Sequence, residues 1–398
     1  MLGSLALLLV IGLLASKIVV LLRLPGLLGM LFVGIVLGPY ALDVLAPGLL
    51  HISQELRSLA LIIILLRAGL GLKRENLIQV GSAAIRLSGI PCILEGATVM
   101  LLSHWLLGFT FAEAGMLGFI IAAVSPAVVV PGMLSLKEQG YGEDKQISTL
   151  ILAGASIDDV FAITLFTSFL GLAVQGETNV LLELGRIPLS IGAGILGGLL
   201  VAVLLLKLYQ FKPLNTRNTE KLLLMLALSI IYFEVGEYIG IASLLGVMTI
   251  GLVILEKRQK SAVQFSEKLA RVWVLAQVIL FTLVGAEVNI SVALEAGIIG
   301  AVIIGVGLIG RSIGVWLATL GTELNGKERV FCMIAYMPKA TVQAAIGAIP
   351  LAAGVEVGNI ILAIAVLAIL ITAPLGAIGI KIGAPVLLQK PETPASSP

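Results

Sequence analysis

A chain of 398 residues that is 59% hydrophobic and 12% charged is not a soluble domain, which would carry about twice that charged fraction. Its mean hydropathy is +1.12, and its net charge of +2 gives no indication of a nucleic-acid partner. Apolar runs long enough to cross a hydrocarbon core of about 30 Å recur along the whole chain. The sequence therefore predicts an all-α polytopic membrane protein without a separate soluble domain.

Thirteen apolar segments follow one another in chain order. They are residues 2–22, 26–45, 56–72, 84–107, 112–135, 147–173, 187–209, 221–238, 240–255, 269–289, 294–320, 328–352 and 358–383. The basic residues support this count, because eighteen of the 25 fall on one side of the predicted membrane and only Arg57 and Arg186 on the other. Such asymmetry places the C-terminus in the cytoplasm and the N-terminus outside. We expect one transmembrane unit over 1–387 and a short disordered tail over 388–398.

Segments 2–6 and 9–13 form a weak internal repeat. The stretches LLGMLFVGIV (27–36) and LLGVMTIGLV (244–253) agree at five of ten positions. Further matches follow in the same order at a nearly constant offset: Gly69 with Gly285, Glu95 with Arg311 and Pro126 with Pro338. The two copies, about 24–173 and 239–384, enter the membrane from opposite sides. Inverted repeats of this kind are typical of secondary transporters that bind their substrate at the midplane.

Prolines lie inside segments 5 and 12. Proline removes a backbone donor and clashes with the preceding turn, so we expect segment 5 to break at Pro126 and Pro131 and segment 12 at Pro338. Half-helix ends at the midplane would carry partial charges of about half a unit, and Lys339 is placed to neutralise carbonyl ends there. Ordinary proline kinks are the alternative interpretation.

Three acidic residues lie deep inside predicted spans: Glu95, Asp158 and Asp159. A charge at the bilayer centre costs at least about 2.5–3.5 kcal/mol, so each is a functional candidate. Asp158 and Asp159 are adjacent, and neighbouring helical positions point about 100° apart. One carboxylate can therefore face the broken helices while the other faces a basic partner. A carboxylate that binds either a proton or a small cation, but not both, has the chemistry of cation/proton exchange.

Two serines add oxygen ligands suited to an alkali cation. Ser125 lies beside the predicted break in segment 5, and Ser156 precedes Asp159 by three residues on the same helical face. A hydroxyl bonded back to its own helix is an equally good interpretation for both serines. The two cysteines, Cys92 and Cys332, lie within spans and lack ligand spacing, so no metal cofactor is expected.

Glu95 and Arg311 occupy equivalent positions in the two repeats. We expect them to pair, because a lone Glu or Arg would be difficult to keep inside the membrane. The alternative is that Arg311 reaches Asp158. In either arrangement Arg311 compensates charge without carrying a proton, since arginine stays protonated at any working pH.

The stretches GASIDDV (154–160), AAVSPAVVVPGML (122–134) and YMPKATVQAAIG (336–347) together resemble the monovalent cation/proton antiporters of the paired-aspartate branch. The last two most resemble bacterial relatives of the animal sodium/hydrogen exchanger-like (NHA) proteins. The resemblance implies thirteen helices, a dimerisation domain, a mobile core with two crossed broken helices, and a homodimer. It further implies that Asp159 carries the cation and the proton, assisted by Asp158.

One departure affects the stoichiometry. Electrogenic members of the family have a lysine on the helix that corresponds to segment 11, where this sequence has Arg311. A residue that does not titrate argues against two-proton exchange, so the stoichiometry stays open. The family moves Na⁺ and Li⁺ most often, and some members use K⁺.

The resulting prediction is a Na⁺(Li⁺)/H⁺ antiporter of the bacterial inner membrane, not an enzyme, with the lipid bilayer as its surroundings. A K⁺/H⁺ antiporter and a Na⁺- or H⁺-coupled solute symporter of related fold are the main alternatives. A cation channel fits the inverted repeat less well. An intramembrane aspartyl protease would need two aspartates on separate helices. Asp158 and Asp159 are adjacent on one predicted helix, so they do not meet that requirement.

Overall fold

The structure, a computed structural model, describes residues 1–22, 24–71, 74–175, 180–210, 217–295 and 297–389. Within helices it leaves undescribed the side chains of residues 74–80, 126–127, 131, 134, 138, 156, 160, 175, 180–188, 191 and 293–295. Most of the predicted C-terminal tail, from residue 390 onward, therefore lies outside the described residues. Within the described ranges the regular secondary structure is entirely helical.

The described residues up to position 175 form eight helices. They are α1 (Leu2–Leu21), α2 (Leu27–Leu37), α3 (Pro47–His51), α4 (Ser53–Gly71), α5 (Arg74–Leu107), α6 (Phe111–Ala122), α7 (Pro126–Gln139) and α8 (Ile147–Gln175). Helix α5 is interrupted at Gly81, whose φ of 56° is non-helical and is readily adopted only by glycine.

The second half begins with α9 (Val180–Leu208), α10 (Asn218–Ile239), α11 (Ser243–Lys257), α12 (Gln259–Ala286) and α13 (Ile290–Glu295). It continues with α14 (Gly297–Ala318), α15 (Gly326–Ala335), α16 (Thr341–Ile346), α17 (Ile349–Ala352) and α18 (Gly358–Leu387). Each of the thirteen predicted segments corresponds to helix in the described residues, with two helices (α6 and α7) in segment 5 and three (α15, α16 and α17) in segment 12.

Seven helices in the described part of the chain are long and apolar enough to cross a membrane by themselves. They are α1, α5 from Gly81, α8, α10, α12, α14 and α18. Shorter apolar helices, including α2, α6 and the 341–352 stretch, accompany them. The predicted polytopic all-α architecture is confirmed, and short or broken helices account for several predicted spans.

The helices pack in two groups. In the first, α2 packs against α1 and α12, and α11 packs against α4, α9 and α10. In the second, α5 packs against α6, α8 and α14, while α18 packs against α15 and α17. We call the first group the scaffold and the second the core bundle. All the intramembrane acidic residues singled out above lie on helices of the core bundle.

Glycines let scaffold helices meet backbone to backbone. A Cβ on Gly34 of α2 would overlap the carbonyl oxygen of Thr282, and Gly285 of α12 faces α2 in the same way. Gly69 of α4 and Gly251 of α11 make an equivalent contact. Segments 2 and 9 are repeat partners, as are segments 3 and 10. The two glycine contacts are therefore copies of one contact, which is the arrangement that two-fold-related repeats produce.

Segments 5 and 12 are both interrupted. In segment 5, α6 ends at Ala122 and α7 begins at Pro126; in segment 12, α15 ends at Ala335 and α16 begins at Thr341. Pro126 lies in the first turn of α7, where its missing N–H leaves no helical bond unmade. The expectation of a break at Pro131 was wrong, because α7 continues through it to Gln139.

Candidate cation site at the crossed helix breaks

The two breaks cross and bond to each other. The Ser125 backbone N–H donates to the carbonyl oxygen of Pro338 at 2.8 Å. The Ser125 Oγ lies 3.4 Å from the Thr341 Oγ1, and these residues are 216 positions apart. Glu95 and Arg311 are separated by the same 216 positions. The hydroxyls of Ser125 and Thr341 are thus the repeat-related pair at the breaks.

Side chains from other helices satisfy the carbonyl ends that the breaks leave free. The Gln343 Nε2 donates to the carbonyl oxygens of Ile120 and Ala123, both at 2.9 Å, at the end of α6. Arg311 donates through Nη1 to the Ala122 carbonyl and through Nε to the Tyr336 carbonyl at 2.6 Å. Half-helix ends inside a protein need such partners, because water does not reach them.

Arg311 is the centre of the ionic network. Its Nη1 lies 2.6 Å from Glu95 Oε2, and its Nη2 lies 3.1 Å from both carboxylate oxygens of Asp158. The sequence left open whether Arg311 contacts Glu95 or Asp158, and the structure places it against both. Its side chain is 1% exposed, so these contacts form in a medium of low polarity, where charge pairs interact strongly.

Lys339 contacts the same carboxylate oxygen of Glu95 as Arg311 does. Its Nζ donates to Glu95 Oε2 at 2.6 Å, and its backbone N–H donates to Thr372 Oγ1 at 2.8 Å. The sequence suggested that this ammonium group would neutralise carbonyl ends at the break. Among the described contacts, its partner is instead a carboxylate on α5, and Arg311 and Gln343 serve the carbonyls.

The adjacent aspartates have unlike surroundings. Asp158 is fully buried and accepts from the Val124 backbone N–H at 2.7 Å in addition to Arg311. Asp159 is 7% exposed, and its buried Oδ1 has no hydrogen-bond partner among the described residues. The 100° step between neighbouring helical positions separates them, so one carboxylate faces the network and the other does not.

The formal charges of this cluster do not cancel. It contains three carboxylates (Glu95, Asp158, Asp159) and two cations, Arg311 and Lys339. Both cations contact Glu95 or Asp158, which leaves Asp159 as the carboxylate without an ion-pair partner among the residues that the structure describes. A buried charge without a partner is strongly unfavourable. The site therefore favours one additional monovalent positive charge, supplied by a proton or by an alkali cation.

The remaining predicted site residues divide by what the structure describes. The Ser125 hydroxyl is buried next to Thr341, at the crossing itself. The side chain of Ser156, and those of Pro126 and Pro131, lie outside the described residues, although their backbones belong to α8 and α7.

Sequence reasoning missed Gln343, Thr341 and Tyr336. All three lie in YMPKATVQAAIG, the stretch already singled out for its proline and lysine. Uncharged polar residues in an apolar segment were the available signal for Gln343 and Thr341. Their partners come from α6 and from the segment 5 break, more than two hundred residues earlier in the chain.

Comparisons with known proteins agree with one another. The sequence model of the family described as "Sodium/hydrogen exchanger, transmembrane" matches residues 5–384. Sodium/hydrogen exchanger 9B2 of Homo sapiens is 36% identical over 392 residues, which cover 93% of this chain and 71% of that protein. The Xenopus tropicalis protein of the same name is 37% identical over 356 residues, covering 86% of this chain and 65% of that protein.

A solved structure has the same fold. The sodium proton antiporter MjNhaP1 from Methanocaldococcus jannaschii superimposes with a TM-score of 0.80, covering 97% of this chain and 98% of that one, at 21% sequence identity. This likeness shows that the two chains share a fold. The match spans 65% of the length of the Xenopus relative.

Proposed function

The chain belongs to the transmembrane sodium/hydrogen exchanger family, and on that premise we propose that it exchanges Na⁺ or Li⁺ for H⁺ across a membrane by alternating access. The observation that carries this proposal is the uncompensated carboxylate of Asp159. A proton and an alkali cation each neutralise it, and only one of them can do so at a time. Competition for one carboxylate couples the two fluxes without a second site.

The charge inventory supports an exchange of one ion for one proton. With either a proton or Na⁺ on Asp159, the cluster of three carboxylates and two cations is neutral. The loaded site then carries the same charge in both directions of transport. Because Arg311 stays protonated and Lys339 is paired with Glu95 at 2.6 Å, neither is assigned a transported proton. We therefore propose an electroneutral cycle.

Movement of the core bundle against the scaffold is the proposed conformational step. Asp158 and Asp159 lie on α8 of the core bundle, and the two breaks directly follow its helices α6 and α15, so all of them would travel together. The hydrogen bonds of Gln343 to α6 and of Ser125 to Pro338 tie the two broken helices into one unit. The scaffold, joined through its glycine contacts, would stay fixed.

The orientation and the setting are also proposals. The distribution of Lys and Arg supports a cytoplasmic C-terminus and an external N-terminus. The bacterial inner membrane and a homodimer formed through the first segments of the chain stay predictions from the motifs, and the two exchangers compared above are from animals.

The deciding experiment uses purified protein in proteoliposomes that contain a pH-sensitive dye. Addition of Na⁺ or Li⁺ outside should release internal protons, and clamping the membrane potential should leave the rate unchanged. Asp159→Asn, which keeps the size of the side chain and removes the charge, should abolish this response while the protein stays folded. Retained exchange in Asp159→Asn would refute the mechanism.

Further arms of the experiment separate the alternatives. A response to K⁺ alone would assign a K⁺/H⁺ antiporter. A response that depends on the membrane potential would overturn the one-for-one stoichiometry. If no cation releases internal protons, the result would contradict antiport and favour solute symport.

A further inference from the structure

Tyr336 contacts Arg311 in two independent ways. It follows α15 at the break, and its carbonyl oxygen accepts a hydrogen bond from Arg311 Nε at 2.6 Å. Its ring lies below the guanidinium, with the Arg311 Cζ 5.4 Å from the ring centroid. The side chain of Tyr336 is fully buried. Tyr336 therefore contacts the guanidinium of Arg311 both in its plane, through the carbonyl oxygen, and on its face, through the ring.

The ring of Tyr336 is itself held by α8. Its hydroxyl packs on Gly154, where an added Cβ would overlap the hydroxyl oxygen; the next nearest atoms to that Cβ belong to Leu87, at 3.3 Å. Gly154 precedes Asp158 by one helical turn and lies on the same face of α8. The contact therefore sets the distance between the tyrosine ring and the helix that carries both aspartates.

The network needs such a device, because the residue after the Arg311 partner Asp158 is a second carboxylate, Asp159, which points about 100° away on the same helix. Coulomb attraction changes only gradually over a few ångströms, so it does not by itself strongly favour Asp158 over Asp159 as the partner of Arg311. A planar guanidinium directs its donors only when its plane is fixed. The Tyr336 carbonyl and ring fix that plane, and Nη2 then meets Asp158.

We infer that Tyr336 is the positioning residue that keeps Arg311 on Asp158 and thereby leaves Asp159 open for the transported ion. The inference rests on the proposed function and adds to it the reason why the two aspartates are unequal. Without the ring, Arg311 gains access to Asp159 and competes with the cation for it. The apparent KM for Na⁺ then rises, whereas the maximal rate at saturating Na⁺ changes little, because saturating cation displaces the arginine.

The test compares variants of Tyr336 in the proteoliposome assay. Tyr336→Leu removes the ring and should raise the KM for Na⁺ by at least about fivefold, as expected for the loss of one buried cation–π contact. Tyr336→Phe keeps the ring and the carbonyl and should stay within about twofold of the wild type. Trp316→Leu is the matched control, because Trp316 stacks on Arg329 at the same 5.4 Å and lies outside the network.

A second pair of variants tests the same contact without removing the ring. Gly154→Ala should push the tyrosine away from its position and raise the KM, since the new methyl group overlaps the hydroxyl. Adding Tyr336→Phe removes the overlapping oxygen and should return the KM to that of Tyr336→Phe alone. A purely structural role would lower the amount of folded protein or the maximal rate without this selective rescue of KM. If Tyr336→Leu does not fold, the KM values of Gly154→Ala and of Gly154→Ala/Tyr336→Phe test the positioning role instead.

The outcomes separate the two proposals. A wild-type protein that moves no protons in response to any cation overturns the proposed function. A wild-type protein that exchanges Na⁺, together with an unchanged KM in Tyr336→Leu or no rescue in the Gly154→Ala/Tyr336→Phe double variant, overturns the positioning role alone.

Discussion

Replacing Arg311 by methionine should be among the most destabilising single changes in the core bundle. The variant leaves Asp158 with only the Val124 N–H as a described partner, while Glu95 keeps its contact with Lys339 at 2.6 Å. Breaking a buried ion pair by removing one partner costs about 3–5 kcal/mol. Because Lys339 still compensates Glu95, one carboxylate rather than two is newly uncompensated. We therefore expect a loss of about 4 kcal/mol.

A second substitution tests whether charge is the cause. Glu95→Gln removes one carboxylate and, when combined with Arg311→Met, restores the formal charge of the wild-type cluster. The double variant should recover about 1–2 kcal/mol of the summed single losses, which lies within the range for residues in one network. The assay is equilibrium unfolding in defined lipid–detergent mixtures, with the exchange rate measured in parallel.

The control for this cycle is Arg57→Met in the scaffold. Arg57 pairs with Glu287 at 3.0 Å, but Glu287 is 22% exposed, so water can replace part of the interaction and the loss should be smaller. Two results would refute the reasoning. One is an Arg311→Met protein as stable as the wild type; the other is strict additivity of the Glu95 and Arg311 losses.

Two further predictions concern packing and pH. Gly34→Ala should destabilise the protein by about 1–3 kcal/mol, because the new methyl group overlaps the Thr282 carbonyl, whereas Gly305→Ala, where nothing lies within 4 Å, should have little effect. The hydrogen bond to Glu328, at 2.9 Å, raises the pKa of Lys145 above its ordinary value of 10.5. The stability from this pair should be complete below that ordinary value and lost as the pH rises through the higher, folded-state pKa. Thermal unfolding of the wild type and of Lys145→Met, followed from neutral to strongly alkaline pH, measures this pH-dependent contribution to stability.

Each of these predictions has a result that contradicts it. Equal stability of the Gly34→Ala and Gly305→Ala proteins would mean that the α2–α12 contact tolerates separation. A wild-type protein and a Lys145→Met protein with parallel pH profiles would mean that the Glu328 contact contributes nothing to folding.

The membrane architecture was predictable because its signals are local. Hydropathy and length identify a span from its own residues, and Pro126 and Pro338 marked the two interrupted segments without any knowledge of their neighbours. Pro131 shows the limit of that reasoning. Pro126 begins α7, where its missing N–H costs no helical bond, whereas Pro131 lies in the second turn of a helix that continues through it.

The ionisable residues of the site were also found from sequence, because charges inside apolar segments are rare. Glu95, Asp158, Asp159, Arg311 and Lys339 all lie in one buried cluster. Their pairing was found only in part, and the expected Glu95–Arg311 pair is present at 2.6 Å. Lys339 was expected at carbonyl ends and contacts Glu95, and Arg311 was expected at one carboxylate and contacts two. Partner choice depends on distances between helices, which local patterns do not contain.

The sequence by itself predicted a chain that spans a membrane many times, repeats itself in inverted order and places two adjacent aspartates inside one apolar segment. Only the tertiary structure decided that those aspartates are unequal. Arg311, 153 residues from Asp158 along the chain, reaches that carboxylate and leaves Asp159 Oδ1 without a partner in the described part of the protein. The physical reason is that a charge is compensated by whatever lies within a few ångströms of it, and the fold alone brings α14 and the break after α15 against α8.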